Sequence, residues 1–127
     1  MVENDYIKLW LENDMLFSSF KKPIRLTLEE SKKFVELRCL ISNSECQYWC
    51  MNLAGVKFIS NEASTFLHEN GQELLHACAM VVNSHLIKFM AKVFISSRKT
   101  KIPVKIFTSE KEALLWLNDI KKQNIKQ

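Results

Sequence analysis

Any chemistry in this chain has to come from a small set of side chains. There are four cysteines (Cys39, Cys46, Cys50 and Cys78), three histidines (His68, His76 and His85), and one acidic residue, Glu62, set among small polar neighbours. Cys46 and Cys50 stand four apart, which is not the tight C-x-x-C of a zinc knuckle or a redox turn. On a strand such positions share a face but lie about 13 Å apart, too far to share one metal ion or close a disulfide. All four cysteines are therefore expected to be small buried hydrophobes in a reducing compartment. No two histidines have metal spacing on one face, so neither a metal nor another cofactor is expected. A Cys–His nucleophile would need Cys50 or Cys78 beside a base in a cleft, yet both fall within apolar strand-like segments. Gly55 and Gly71 are the only glycines, which leaves no glycine-rich phosphate loop. This set does not predict an enzyme.

Two polar clusters remain. One is Ser60, Asn61, Glu62, Ala63 and Ser64; the other is Asn83, Ser84 and His85. In open α/β sheets, ligands collect beyond the carboxyl ends of the strands, and an anion can rest on the amides of a helix start. Helix caps and loops use the same residue types, so each cluster has a structural reading beside the ligand reading.

Composition bounds the choices. The chain has 127 residues, 47% of them hydrophobic, which suits one core-forming domain spanning 1–127. The net charge of +4 sits largely in Arg98-Lys99-Thr100-Lys101 and in Lys121, Lys122 and Lys126. That pattern lacks the dense basic face with interleaved aromatics of a nucleic-acid binder, so nucleic acid is not an expected partner. No secretory signal opens the chain, and no apolar run approaches the roughly 20 residues of a spanning helix. A cytoplasmic protein without membrane insertion is expected.

The elements that must position these residues follow from periodicity. Tyr6–Leu11 and Met15–Phe20 read as a hairpin across Glu12-Asn13-Asp14, and Lys22-Pro23 breaks the pairing. Thr27 opens a first helix whose apolar stripe is Phe34, Val35, Leu37, Leu40 and Ile41, ending near Ser42-Asn43-Ser44. Cys46–Leu53 is a strand buried on both faces, with Gln47, Trp49 and Met51 on one side and Tyr48 and Cys50 on the other. Residues 54–59 read as a connector, and a short helix follows over Asn61–Asn70, closed by Gly71. Leu74–Val82 is a further apolar strand. Asn83-Ser84 caps a helix with a core-facing stripe of Leu86, Ile87, Phe89, Met90, Val93 and Phe94. Pro103–Phe107 is the last strand, and a helix from Ser109 covers the sheet with Ala113, Leu114, Trp116, Leu117 and Ile120. The order β-β-α-β-α-β-α-β-α predicts a mixed, mostly parallel five-stranded sheet with right-handed crossovers.

The segment from Asn52 to Leu67 resembles the central motif of STAS domains, the family of anti-sigma-factor antagonists and sulphate transporters. The family motif runs Asp-Leu-Ser-Gly-Val-Thr-Phe-Ile-Asp-Ser-Ser-Gly-Leu-Gly-x-Leu, and Leu53, Gly55, Val56, Phe58, Ile59 and Leu67 match it in register. The close, Lys105 to Leu117, is similar to that of uncharacterised bacterial STAS-like and SpoIIAA-like proteins. The resemblance implies a SpoIIAA-like (STAS) fold over nearly the whole chain.

It also implies a non-enzymatic protein-interaction module, regulatory in its signalling relatives, with an unidentified protein partner contacting Ser60 to Ser64. The family's phosphoacceptor serine maps onto Glu62, so no hydroxyl is available for phosphorylation there. Glu62 then has two readings. It could be a helix-start charge worth about 0.3–1 kcal/mol. It could also be a fixed, partial substitute for a phosphoserine. The alternative function is a small-molecule or lipid-binding domain that uses the strand-end edge at Asn83, Ser84 and His85 or an apolar pocket under the third helix. Self-association through a sheet edge or helix face is left open by the sequence.

Overall fold

A tight turn sets the first register. Asn13 and Asp14 have φ of 53° and 65°, the geometry of a type I′ turn, which their short polar side chains tolerate. The turn joins β2 (Ile7–Glu12) to β3 (Met15–Phe20) with Glu12 opposite Met15. The computed structural model describes residues 1–43, 45–97 and 100–125, with only the backbone at Ser97. Ser44 at the expected end of the first helix, Arg98 and Lys99 of the basic run, and Lys126 lie outside the described residues.

β1 (Val2–Glu3) adds to the outer edge of β2, and β4 (Ile24–Leu26) follows the hairpin. Then come α1 (Leu28–Ser42), β5 (Gln47–Asn52), β6 (Val56–Ile59), α2 (Asn61–Asn70), β7 (Leu75–Val81), α3 (His85–Ser97), β8 (Val104–Phe107) and α4 (Glu110–Ile125). The main sheet runs β1-β2-β3-β5-β7-β8, antiparallel across β1 to β3 and parallel from β3 to β8. The five expected strands are present in their expected order. The sheet has six strands rather than five, because Val2 and Glu3 pair with Leu9 and Lys8.

Residues read as a break and a connector also pair. β4 and β6 form a separate two-stranded parallel sheet, with Ile24 opposite Val56 and Leu26 opposite Ile59. Pro23 ends the pairing with β2, but the chain resumes extended backbone one residue later. Gly55 makes the turn into β6 with φ of 96°, a conformation that only glycine adopts cheaply, and its carbonyl accepts from Ile24 N at 2.9 Å.

Each face of the main sheet carries its own core. On one face, Leu9, Leu16, Trp49, Met51 and Cys78 pack under α1 and α3, with Phe34 and Ile87 inserted between. On the other, Met15, Phe17, Tyr48, Cys50 and Ala79 meet Ala113 and Leu117 of α4. The side-to-side alternation expected for β5 is therefore present.

Three expectations need correction. Cys50 and Cys78 are buried, but Cys39 and Cys46 are exposed, since Cys46 precedes β5 and Cys39 lies on the outer side of α1. The α3 stripe is not wholly core-facing. Ile87 is buried, whereas Leu86, Phe89 and Val93 are 58%, 65% and 45% exposed, because the helix rests on the sheet along a narrower line than its apolar arc. The buried line of α1 is Ser31, Phe34, Arg38 and Ser42 rather than the all-apolar stripe.

Candidate functional site

The small β4–β6 sheet aims α2. Ser60 N donates to Leu26 O at 3.0 Å, which fixes the residue immediately before the helix. Ser60 is the N-cap, its Oγ accepting from Ala63 N at 3.1 Å. Ala63, where the STAS motif has glycine, is fully buried, and Asn61 and Glu62 are exposed. At the other end Gly71 N donates to Leu67 O at 2.8 Å. A Cβ on Gly71 would lie 2.5 Å from that carbonyl oxygen, so only glycine permits this closure.

Between α2, α3 and the main sheet lies a cavity of about 180 Å³. Its floor is Trp49, Met51, Cys78 and Met80 from the sheet, and Phe34 and Val35 of α1 form one wall. Leu67 of α2 and Phe89, Met90 and Phe94 of α3 form the roof. Edge-to-face packing holds the floor, with the Phe34 and Trp49 ring centroids 5.3 Å apart. Trp49 Nε1 donates to buried Ser18 Oγ at 3.0 Å, so the ring has one orientation. The polar lining is limited to Asn61, Ser64, Gln72 and the Cys78 thiol. Gln72 is tied at both ends: its Nε2 donates to His68 O at 2.8 Å, and its Oε1 accepts from Lys101 N at 2.6 Å.

Arg38 does not itself line this cavity, but it packs on Trp49, which does. It is fully buried (0% exposed), and its guanidinium lies 5.5 Å from the centroid of the Trp49 ring. Among the described residues, none of its three guanidinium nitrogens has a hydrogen-bond partner. Burial lowers its pKa, an effect opposed by Cys39, Cys78 and Glu73 nearby.

The strand-end cluster borders a different cavity. Asn83, Ser84 and His85 line a recess of about 210 Å³ with Val82, Lys88 and Thr108. Ser84 is engaged as a cap, its Oγ accepting from Ile87 N at 3.1 Å. Of the Ser60–Ser64 group, Asn61 and Ser64 line the apolar cavity and none lines this recess. The two clusters thus do not share one cavity.

Burial, and secondarily the charge of Glu110, pushes the Cys50 thiol up to about 12. Burial, and then Cys50, does the same to Cys78, also to about 12. His76 stacks on Tyr48 with centroids 4.8 Å apart, and His68 meets Phe94 edge-on at 6.1 Å. Among the described residues, no three His, Cys, Asp or Glu side chains are grouped as metal ligands would be. No helix among them is long and apolar enough to cross a membrane.

Sequence reasoning held a pocket beneath the third helix only as an alternative to plain core, and it missed Arg38 and Gln72. Arg38 was legible in principle, since it follows Phe34 by four residues and precedes Ser42 by four, on one helical line. Gln72 carried no signal, because its role depends on where Lys101 falls in space.

Comparison with known proteins places the chain. No curated protein matches it. Among solved structures, it is similar to an uncharacterised protein of the DUF3478 family from Shewanella loihica PV-4, described as having a SpoIIAA-like fold. That likeness has a TM-score of 0.59 at 19% identity and covers 92% of this chain and 98% of the other. It establishes the SpoIIAA-like fold. The family model of a domain of unknown function, DUF7793, matches residues 9–121, so the chain belongs to the DUF7793 family.

Proposed function

We propose that this chain is a non-catalytic binding domain that takes a small apolar or amphipathic molecule between its main sheet and the α2–α3 layer. The cavity carries this reading. Its walls are aliphatic, aromatic and thioether groups, and its few polar groups are mainly on the α2 side. An apolar cavity of about 150 Å³ is enough to stay dry and bind a benzene-sized molecule. Phe89 and Val93 line the cavity while remaining exposed, so α3 offers a route of entry. Thiols that ionise near 12 are poor nucleophiles at neutral pH, which supports a non-catalytic role. Four unpaired cysteines fit a reducing, cytoplasmic setting.

Calorimetric titration with 1-octanol tests the reading. Saturable binding is expected, and Ala91→Leu, which pushes three more carbons into the cavity from a buried lining position, is expected to abolish it. Mass spectrometry of the protein from its native cell would identify a carried molecule. The absence of both saturable binding and a carried molecule would defeat the proposal.

A second reading is protein docking at Ser60, Asn61, Glu62, Ala63 and Ser64. What favours it is that α2 has two roles at once: Asn61 and Ser64 line the cavity while Glu62 faces solvent on the same turn. A partner on the outer face could thereby sense occupancy beneath. If Glu62→Ser and Glu62→Ala both left the affinity of a captured partner unchanged, this surface would not be the contact.

A further inference from the structure

Arg38 is out of keeping with its surroundings. A guanidinium keeps its proton at any ordinary pH, so a buried one needs acceptors. Here all three nitrogens lack them among the described residues. Glu73 is near enough to act on it electrostatically, yet no ion pair joins the two among the described residues. The face of Trp49 supplies only a cation–π contact.

The position of this charge is informative. Phe34 and Val35, one turn earlier on α1, line the apolar cavity, and so does Trp49, over which the guanidinium rests. Cys78, another lining residue, is within its electrostatic reach. A fixed positive charge with no hydrogen-bond partner among the described residues is therefore separated from an apolar cavity by one side chain, Trp49. A ligand with an apolar body and an anionic head would satisfy both. Because Arg38 does not line the cavity, such binding requires its long side chain to turn past Trp49 toward the cavity, where the fork can bind an oxyanion with two parallel hydrogen bonds.

We propose that Arg38 is the head-group anchor of the cavity, and that its ligands are small anionic amphiphiles bearing a carboxylate or phosphate oxyanion. This deepens the cavity reading above and rests on it. It turns a pocket selective for size and apolarity into one selective for charge. It also explains why a residue as costly to bury as arginine stands in the core line of α1.

The test is a head-group series at constant chain length, titrated calorimetrically into the full chain: 1-octanol, octanoate, octyl phosphate and octylamine. Octanoate or octyl phosphate is expected to bind about ten- to a hundred-fold more tightly than 1-octanol, as suits a charge-assisted bond to a buried partner. Octylamine is expected to bind most weakly. Whichever anion is tighter identifies the head group. Arg38→Met is expected to erase the preference for the anion while retaining 1-octanol binding, an effect that general unfolding would not produce. If Arg38→Met does not fold, the series on the unaltered chain decides alone. Equal affinity for 1-octanol and both anions would overturn the anchor and leave the cavity reading intact, as would an undiminished preference in Arg38→Met. Failure of every member to bind would overturn both.

Discussion

Replacing Arg38 by methionine should make the ligand-free protein more stable. The side chain is fully enclosed, and its three nitrogens have no acceptor among the described residues. The effective penalty for a buried ion is several kcal/mol, and apolar replacements of buried charged groups commonly gain about 1–4 kcal/mol. Two effects reduce that gain. The contact with Trp49 at 5.5 Å is lost, which costs roughly 0.5–2 kcal/mol. Methionine is also shorter and leaves some unfilled space beside the existing cavity. The net expectation is a gain of about 1–2 kcal/mol. With a urea m-value of about 2 kcal/mol per molar, the midpoint should rise by roughly 0.5–1 M. Urea unfolding followed by far-ultraviolet circular dichroism in ligand-free buffer measures this. Octanoate at about a hundred times its dissociation constant should then add about 2.7 kcal/mol to the unaltered chain and much less to the variant. A variant less stable than the parent by 2 kcal/mol or more would show that the guanidinium is already satisfied without ligand, and would refute the reasoning.

Three further outcomes are expected. The buried thiols ionise near 12 in the fold against an ordinary 9.0; their folded values lie above the unfolded ones, so their contribution is complete below pH 9 and lost as the pH rises toward 12. Stability should fall by roughly 2 kcal/mol per thiol between pH 9 and 11, and Cys50→Ala with Cys78→Ala should flatten that slope in a urea series taken across pH. Gly71→Ala should destabilise by about 1–3 kcal/mol in the same assay, because the added carbon meets the Leu67 carbonyl oxygen at 2.5 Å. Ser60→Ala should cost about 1 kcal/mol through loss of the cap on Ala63 N, read as a lower thermal midpoint.

How much of this was legible in the sequence depends on the length scale of each signal. Four strands, β2, β3, β5 and β7, and the four helices have periods that survive over six or more residues, and β5 even showed its two faces, Trp49 to one core and Tyr48 to the other. β1, β4 and β6 have two to four residues each, too few for alternation to register, and their pairing is decided by partners distant in the chain. The α3 stripe was visible, but not that the sheet covers only part of it; Phe89 is apolar in sequence and 65% exposed in the fold. Cys39 and Cys46 illustrate the same limit, since residue type alone placed them in the core and geometry puts both outside. Local residue types narrowed the α2 cap to Ser60 or Asn61, and the fold uses Ser60. The cavity did not, because an empty space is a property of how α2 and α3 sit over Met51 and Met80. Arg38 lies between these cases. Its helical position was readable, but the missing partner that makes it informative is visible only in three dimensions.

The central claim, that a ligand occupies the space between the sheet and the two helices, is tested most directly by isotope-filtered nuclear Overhauser spectroscopy of the labelled chain with unlabelled 1-octanol. Cross-peaks from the alkyl chain to the side chains of Leu67, Met80 and Met90, which line the cavity, are the predicted result. Cross-peaks confined to Leu86 on the outer face of α3, or none at all, would contradict the account.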